Sequence, residues 1–167
     1  MVSQISVVIN TFNEEKNIKK VIESLNWAEE IVVVDDGSTD RTYEIITELK
    51  QENPSLRIFK HRSEGYVERA RNFAISKASK EWILILDADE VLPESLVGRL
   101  IEIASEMKQI DFVRVPRKNL IFGHWMRASM WWPDYNIRFF KKGKVMWLNK
   151  IHRPPETLGE GLDLPAE

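Results

Sequence analysis

The sequence contains three short apolar runs that each stop abruptly at polar or acidic residues. These runs and the residues that follow them are 5–9, interrupted by Ser6, before Asn10, 31–34 before Asp35 and Asp36, and 82–86 before Asp87. Apolar runs of this length are typical of strands that are buried on both faces, as in parallel sheets covered by helices. This feature constrains the fold most, because such strands need a layer of helices on each side.

Segments with helix signals separate the strands. Helices are predicted near residues 14–25, 39–51 and 67–79, and a further strand at residues 56–60. Asn13 is the predicted capping residue of the first helix. After Pro93, a fourth helix carries a one-sided apolar stripe formed by Leu96, Val97, Leu100, Ile101, Ala104 and Met107. The alternation βαβαβαβα predicts an α/β fold with a mostly parallel, Rossmann-like sheet flanked by helices.

The pattern changes after Ile110. Residues 112–116, 135–140 and 145–148 are predicted to form shorter strands that close the sheet in mixed or antiparallel order. Residues 154–167 are rich in Pro, Gly and acids, and are predicted to form a loop or an arm rather than a core element. We therefore predict one domain over residues 1–153, in two halves at about 1–110 and 111–153, followed by a C-terminal arm at 154–167.

Composition and charge exclude several classes of protein. The formal net charge of −2 argues against a dedicated nucleic-acid binder, and the absence of cysteine excludes a disulfide framework and thiolate metal sites. No apolar run approaches the ~20 residues that span a bilayer, and the N-terminus lacks the features of a signal peptide. We therefore expect a cytoplasmic protein.

The basic residues are concentrated in one part of the chain. Eleven basic and two acidic residues lie between Lys108 and Arg153, whereas the rest of the chain is acidic. This favours a partner with anionic groups, either a phosphorylated substrate or a membrane surface. In the second case the protein would lie at the inner face of the membrane. A solvated basic face is the alternative.

Polar residues at the ends of parallel strands meet at one edge of the sheet, where ligands of open α/β sheets bind. Residues 10–13, 35–38 and 87–90 all lie at predicted strand ends. Two carboxylates in a D-x-D spacing, as in Asp87 and Asp89, can hold a hard divalent cation such as Mg²⁺ or Mn²⁺ together with phosphate oxygens. Acids near helix starts also act as caps, and this alternative stays open for Glu14, Asp40 and Glu90.

Four ordered motifs carry a resemblance to a known family. They are VVINTFNEEKNI at residues 7–18, VVVDDGSTDRT at 32–42, ARNFAI at 70–75 and ILDADE at 85–90. Together they resemble the nucleotide-sugar-binding half of the family 2 glycosyltransferases, which have the GT-A fold. The resemblance covers about residues 4–118. It implies a nucleotide-diphosphate sugar as donor, with a UDP-sugar as the first expectation.

The resemblance also implies roles for individual residues. The pocket for the base and ribose would be lined by Thr11, Asn13, Asp35 and Asp36, and Arg71 would approach the nucleotide. The D-x-D turn would bind the diphosphate and an Mg²⁺ or Mn²⁺ ion through Asp87, Ala88 and Asp89, with the two aspartates as metal ligands.

The final third resembles, more loosely, a subgroup that extends lipopolysaccharide cores or related glycans. The similarity lies in NLIFGHWMRASMWWPDYNIRFF and in the later His152. It implies a saccharide or glycolipid acceptor and direct displacement at the anomeric carbon with inversion. In the subgroup an acid commonly follows the histidine, but here Arg153 follows it. Members of the family also usually continue beyond this length, so truncation of a longer protein is an alternative to a complete chain.

Inverting displacement needs a general base, because the acceptor hydroxyl loses its proton as it attacks. Asp134 is the first candidate for this base, and a structural pair of Asp134 with Arg138 is the alternative. Glu156 is a second candidate. His152 is a candidate metal ligand or diphosphate contact, and no catalytic role is predicted for His61.

The tryptophans beside Arg127 leave three interpretations open. They could stack on acceptor sugars, rest at a membrane interface or pack in the core. The residues concerned are Trp125, Trp131 and Trp132.

Two other functions compete with sugar transfer. One is a non-catalytic domain that binds a nucleotide-sugar without turnover. The other is a phosphatase of the haloacid dehalogenase type, in which Asp87 would be a nucleophile. The phosphatase hypothesis leaves Asp35 and Asp36 unexplained and lacks a later acidic pair for magnesium.

Overall fold

The computed structural model describes residues 4–61, 67–121, 123–127, 132–148 and 154–166, with only the backbone described at 67–69, 120 and 121. The helices are α1 (Ile18–Glu23), α2 (Thr42–Glu52), α3 (Val67–Lys77) and α4 (Glu94–Glu106). The strands of the first two-thirds are β1 (Ile5–Thr11), β2 (Glu30–Asp35), β3 (Leu56–Lys60) and β4 (Trp82–Asp87). The later strands are β5 (Ile110–Arg117), β6 (Leu120–Ile121), β7 (His124–Trp125), β8 (Asp134–Lys141), β9 (Val145–Met146), β10 (Glu156–Thr157) and β11 (Glu160–Asp163).

One seven-stranded sheet organises the chain, in the order β11-β5-β8-β4-β1-β2-β3. Strand β8 runs antiparallel to both of its neighbours, β4 and β5, and the other pairings in this sheet are parallel. Two short antiparallel pairs, β6-β7 and β9-β10, lie outside it. The predicted α/β fold with a mostly parallel sheet and antiparallel closing strands is confirmed.

The two faces of the sheet pack into two separate apolar clusters. On β4, Leu84 and Leu86 join the cluster that contains residues of α1, α2 and α4, whereas Ile83 and Ile85 join the cluster that contains residues of α3. Alternate residues of a strand point to opposite faces. A run that is apolar at every position is therefore buried on both sides, which is what the sequence pattern predicts.

Helix α1 is shorter than predicted, because the residues before it are held by the neighbouring loop. The backbone N–H of Glu14 donates to Thr42 Oγ1 (2.8 Å), and that of Glu15 donates to Asp40 Oδ2 (3.2 Å). The helix therefore begins at Ile18, with Asn17 at its N-cap. The prediction that Asn13 caps this helix is wrong.

Helix α4 buries a stripe that differs by one position from the prediction. Leu100 and Ile103 are fully buried, whereas Ile101 is 37% exposed. The residues Leu96, Ala104 and Met107 pack against the core as predicted.

The C-terminal segment is part of the sheet, which corrects its prediction as an arm. Strand β11 pairs in parallel with β5 at one edge of the sheet, and Leu164 is buried in the core. Gly159 has a positive φ of 98°, and a Cβ at this position would overlap the Asp111 carboxylate. The Gly and acidic residues here form a tight turn that leads into an edge strand. Composition alone does not distinguish such a segment from a loop.

A buried carboxylate joins three strands and the segment after α3 at the end of the sheet opposite the strand-end acids. Glu30, at the start of β2, is 3% exposed. It accepts hydrogen bonds from the Ser6 hydroxyl of β1, from the Arg57 guanidinium of β3 and from the Ser79 backbone N–H beyond α3 (2.7 Å). Burial raises the pKa of the Glu30 carboxyl, but these hydrogen bonds outweigh it and lower the pKa to about 2.

None of the helices in the described parts of the chain has the length and apolar character needed to cross a membrane.

Candidate active site

The carboxyl ends of β1, β2 and β4 lie side by side at one edge of the sheet. In the parallel register, Thr11 pairs with Asp35 and Asn10 pairs with Asp87. The polar residues that follow the three apolar runs are thus brought together, as the sequence predicts. We call this edge the polar rim.

Three polar atoms at the rim are buried and have no hydrogen-bond partner among the described residues. They are Asn10 Nδ2, Thr11 Oγ1 and Asp35 Oδ1. Thr11 and Asp35 are each 3% exposed, so solvent reaches them poorly. The other carboxylate oxygen of Asp35 accepts a hydrogen bond from the Ser38 backbone N–H (3.2 Å). An unsatisfied buried polar atom costs about 1–3 kcal/mol, and a bound polar ligand removes that cost.

Asn13 joins the loop after β1 to the loop after β2. Its Oδ1 accepts a hydrogen bond from the Thr39 backbone N–H (2.8 Å), and its backbone N–H donates to Ser38 Oγ (3.0 Å). Its φ of 55° is a left-handed conformation that Asn tolerates better than most residues. The side chain is exposed, so Asn13 shapes the rim from its outer side.

Asp36 contacts a histidine that the sequence analysis left without a catalytic role. Its Oδ1 lies 2.8 Å from Nδ1 of His61, the residue that follows β3, and both side chains are mostly buried. The His61 ring also packs against Phe73 of α3, with 5.0 Å between ring centroids. Asp36 therefore has a side-chain partner, whereas Asp35 Oδ1 has no hydrogen-bond partner among the described residues.

Arg138 of β8 holds the turn that contains the D-x-D acids. Its Nη2 donates to Asp87 Oδ2 (2.8 Å) and to Glu90 Oε1 (3.2 Å). Glu90 Oε2 accepts the backbone N–H of Asp87 (3.1 Å), and the Glu90 N–H donates to the Asp87 carbonyl (3.0 Å). Glu90 thus closes the turn at the end of β4, and it does not cap α4, whose N-cap is Pro93 without a side-chain cap hydrogen bond.

Arg138 affects the two acids of the turn differently. Burial raises the pKa of the Asp87 carboxyl, but the hydrogen bond and charge of Arg138 outweigh it, so the pKa lies below its usual range. The pKa of Glu90 is raised by burial and by the Asp87 charge, against the attraction of Arg138. Asp87 is therefore the more firmly ionised of the two acids.

A cavity of about 220 Å³ opens beside Asp87. Three arginines line it, Arg71 of α3, Arg117 of β5 and Arg138 of β8, together with Trp147. Arg71 Nη2 lies 3.9 Å from Asp87 Oδ1, and its guanidinium carbon lies 5.3 Å from the centre of the Trp147 ring. The structure thus places Arg71 beside Asp87, and its predicted approach to the nucleotide stays a prediction.

The oxygen ligands that Mg²⁺ and Mn²⁺ prefer are present at the turn. Asp87 and Asp89 supply two carboxylates, and Asp89 is exposed at the rim. Ala88 packs its side chain into the core, so only its backbone can reach a ligand. Among the described residues no group of three or more acidic or histidine side chains is arranged to hold a metal ion. The residues therefore fit an ion that completes its shell with diphosphate oxygens and water, rather than an all-protein site.

Asp134 has a different partner from the one considered in the sequence analysis. Its Oδ2 accepts hydrogen bonds from Arg117 Nε (3.1 Å) and Nη2 (3.0 Å) and from Asn119 Nδ2 (3.1 Å). Arg138 instead contacts Asp87 and Glu90. Burial raises the pKa of Asp134, but Asn119 and Arg117 outweigh it and lower the pKa. Asp134 is consequently an ionised carboxylate next to the arginine-lined cavity.

The remaining candidates for the base are placed in part. Glu156 lies in β10, is exposed and follows Pro155, which lines the cavity beside Asp87. His152 lies outside the described residues, as does Trp131.

Trp125 is enclosed by cations and by a second indole. Its ring lies 4.2 Å from Lys118 Nζ and 3.8 Å from the guanidinium carbon of Arg127, and it meets Trp132 edge to face at 5.0 Å. Trp125 lies in β7 and does not belong to either of the two apolar clusters of the described residues. Among the described residues, the half-buried Trp125 ring thus packs against two cations and an indole.

Sequence reasoning missed Arg117 and Arg138 as site residues. Arg138 stands in an otherwise apolar strand segment directly before two buried phenylalanines. A charged residue in such a segment needs a partner, and this is the signal that could have identified it.

Comparisons with known proteins agree with this geometry. Residues 6–158 match the family described as "Glycosyl transferase family 2". The chain is 31% identical over 150 residues to the lipopolysaccharide core biosynthesis glycosyltransferase LpsC of Rhizobium meliloti, covering 89% of this chain and 55% of LpsC. The chain thus spans about half the length of this curated relative.

Solved structures share the fold. The structure of S. aureus TarS 1-349 in complex with UDP-GlcNAc superposes with a TM-score of 0.62 at 28% identity, over 78% of this chain and 38% of that chain. The mannosyltransferase PcManGT from Pyrobaculum calidifontis, in complex with GDP-Man and Mn²⁺, has a TM-score of 0.60 at 24% identity, over 71% of this chain and 36% of that chain.

The family match spans both acid clusters and leaves the phosphatase hypothesis without support. With its GT-A fold and a family match over most of its length, the chain belongs to glycosyltransferase family 2.

Proposed function

We propose that this chain carries the donor site of an inverting glycosyltransferase that uses a nucleoside-diphosphate sugar, with a UDP-sugar as the first candidate. The observation that carries the proposal is the set of buried, unpartnered polar atoms of Asn10, Thr11 and Asp35 beside the D-x-D turn. The Asp35 carboxylate accepts hydrogen bonds from a base N–H or a ribose hydroxyl. The bound nucleotide thus satisfies atoms that otherwise destabilise the rim.

The cavity lined by three arginines supports our placement of the diphosphate and the acceptor beside Asp87. Arg71, Arg117 and Arg138 place positive charge where the diphosphate leaves. A divalent cation held by Asp87 and Asp89 would supply further neutralisation of the leaving group. The displacement forms a bond between the acceptor oxygen and the anomeric carbon and breaks the bond from that carbon to the diphosphate oxygen.

Asp134 is our first candidate for the base that takes the acceptor proton. Its lowered pKa keeps it ionised and able to accept a proton, and its pairing with Arg117 holds it near the cavity. Glu156 and His152 are the alternatives. Arg117 makes Asp134 a weaker base. The acceptor hydroxyl therefore transfers its proton after its oxygen has begun to bond to the anomeric carbon, because that bond makes the hydroxyl more acidic.

The proposed acceptor is a saccharide or glycolipid of the cell envelope, as in lipopolysaccharide synthesis. The relative LpsC supports this class through its own described role. The exposed Lys118 and Arg127 lie against the half-buried Trp125 ring and add a cationic surface that suits acceptor sugars with anionic groups or a membrane interface.

The donor site is tested by thermal unfolding with UDP, GDP, ADP and CMP, each with and without Mn²⁺. Preferential binding to the native state raises Tm by mass action. We expect a rise for one nucleotide that is larger with Mn²⁺ and is lost in Asp35→Asn. The control is Glu81→Gln, an exposed acid just before β4 at its far end from the rim. A folded chain with no shift for any nucleotide refutes the donor site.

Catalysis needs a separate measurement, because a binding domain without turnover gives the same shifts. Release of the nucleoside diphosphate from its sugar nucleotide, by transfer or by donor hydrolysis, distinguishes the two. Binding without any release in the full 167-residue chain favours the non-catalytic alternative.

A further inference from the structure

The D-x-D turn already contains a cation that belongs to the protein. Arg138 contacts Asp87 and Glu90 with one nitrogen, and its side chain is only 13% exposed. The contact joins residues that are 51 and 48 positions apart in the chain. Arg138 comes from β8, the antiparallel strand beside β4, so it is held in place by the sheet and not by the turn.

Two other arginines lie near the turn, and neither replaces Arg138 in its contacts with Asp87 and Glu90. Arg117, the next cation along the cavity, is paired with Asp134. Arg71 approaches the other Asp87 oxygen at 3.9 Å. The Asp87 carboxylate is thus approached by one guanidinium at each oxygen, and Glu90 shares the guanidinium of Arg138.

This arrangement opposes the binding of a free divalent cation. An ion at Asp87 would lie close to the guanidinium of Arg138, in a partly buried site where repulsion between like charges is poorly screened. A diphosphate changes the balance, because its negative oxygens attract both the ion and the arginines.

We propose that Arg138 is a built-in counter-cation that makes divalent-cation binding at Asp87 and Asp89 depend on the nucleotide diphosphate. Arg138 acts as a positioning residue through Asp87, and it keeps the acid turn ordered when neither ligand is bound. The dependence on the nucleotide rests on the proposed donor site, but the expected effect of Arg138 on the binding of Mn²⁺ alone does not.

The test is a titration with Mn²⁺ in the absence of nucleotide, in which electron paramagnetic resonance measures the concentration of the free ion. We expect Arg138→Gln to bind Mn²⁺ at least about tenfold more tightly than the wild type. Arg138→Lys keeps the charge and is expected to bind as weakly as the wild type. The matched control is Arg99→Gln, which removes one positive charge from a pair with Glu102 on the surface of α4 and is expected to change nothing.

A second titration adds UDP. The wild type is expected to gain more Mn²⁺ affinity from UDP than Arg138→Gln does, because the variant no longer needs the diphosphate to offset a local cation. If no nucleoside diphosphate binds, the proposed donor site fails, whereas the order of Mn²⁺ affinities without nucleotide still decides the role of Arg138.

A double variant guards against misfolding, which circular dichroism detects. If Arg138→Gln does not fold, Glu90→Gln combined with Arg138→Gln removes both members of the pair and leaves Asp87 and Asp89 unchanged. This variant is expected to bind Mn²⁺ more tightly than the wild type. The proposal is overturned if the wild type binds Mn²⁺ alone as tightly as the folded variant, or if Arg99→Gln raises the affinity equally.

Discussion

The buried Glu30 carboxylate offers a stability prediction that is independent of the active site. Gln resembles the protonated acid, so Glu30→Gln imitates the loss of the charge without changing the volume of the side chain. The pKa of Glu30 falls from 4.5 to about 2 on folding, and each pH unit of this difference corresponds to about 1.4 kcal/mol. The charge therefore contributes about 3 kcal/mol to the free energy of unfolding at pH 7.

The pH dependence follows from the direction of this change. Because folding depresses the pKa, the contribution of Glu30 is fully present above about pH 4.5 and is lost as the pH falls towards about 2. The stability difference between the wild type and Glu30→Gln is thus expected to be largest near neutrality and to shrink through this range.

The assay is urea unfolding at a series of pH values, with a thermal scan at pH 7. For a chain of this size, about 3 kcal/mol corresponds to a fall in Tm of about 6–12 °C. The control is Glu29→Gln, the adjacent residue, whose pair with Lys80 (2.9 Å) is partly exposed and is expected to contribute less than about 1 kcal/mol. Equal effects of the two substitutions at pH 7, or a difference that does not shrink in acid, would refute the role assigned to Glu30.

Three further predictions concern the site and the C-terminal strand. Asp89→Asn is expected to abolish the extra stabilisation that Mn²⁺ gives to the nucleotide-bound chain, as measured by thermal unfolding, whereas Glu81→Gln retains it. Asp134→Asn is expected to lower kcat by about 10²–10⁴-fold with little change in the KM for the donor, as measured by nucleoside diphosphate release; an unchanged kcat would move the base to another residue. Gly159→Ala is expected to destabilise the fold by at least about 1 kcal/mol in urea unfolding, because its φ of 98° and the nearby Asp111 carboxylate leave no room for a Cβ.

Much of the polar rim could be predicted from local sequence. The bounds of β3 agree with the predicted residues, those of β4 differ by one residue at its end, and those of β2 differ by one residue at each end. Asp35 and Asp87 therefore lie where the ends of the apolar runs place them. The start of α1 could not be predicted in this way, because Glu14 and Glu15 are held by hydrogen bonds to Thr42 and Asp40, which are distant in the chain.

The contacts among charged residues depended on the order of the strands. Asp134 and Arg138 are four residues apart, a spacing that favours a pair on a helix, but both lie in β8. There Asp134 reaches Arg117 of β5, whereas Arg138 reaches Asp87 of β4. Because β8 lies between these two strands, each side chain meets a different neighbour.

The alternation of buried strands and helices and the acids at the strand ends are legible in the sequence, and the four ordered motifs carry the resemblance to the family. These features depend on periodicity and on residue type, which act over a few neighbouring positions. The place of β11 in the sheet, the contacts of Glu30 with β1, β3 and the segment after α3, and the pairing of Arg138 with Asp87 and Glu90 became visible only in the folded chain. Those contacts arise from strand order and burial across the whole chain, since a buried charge takes the partner that the sheet brings within hydrogen-bond distance.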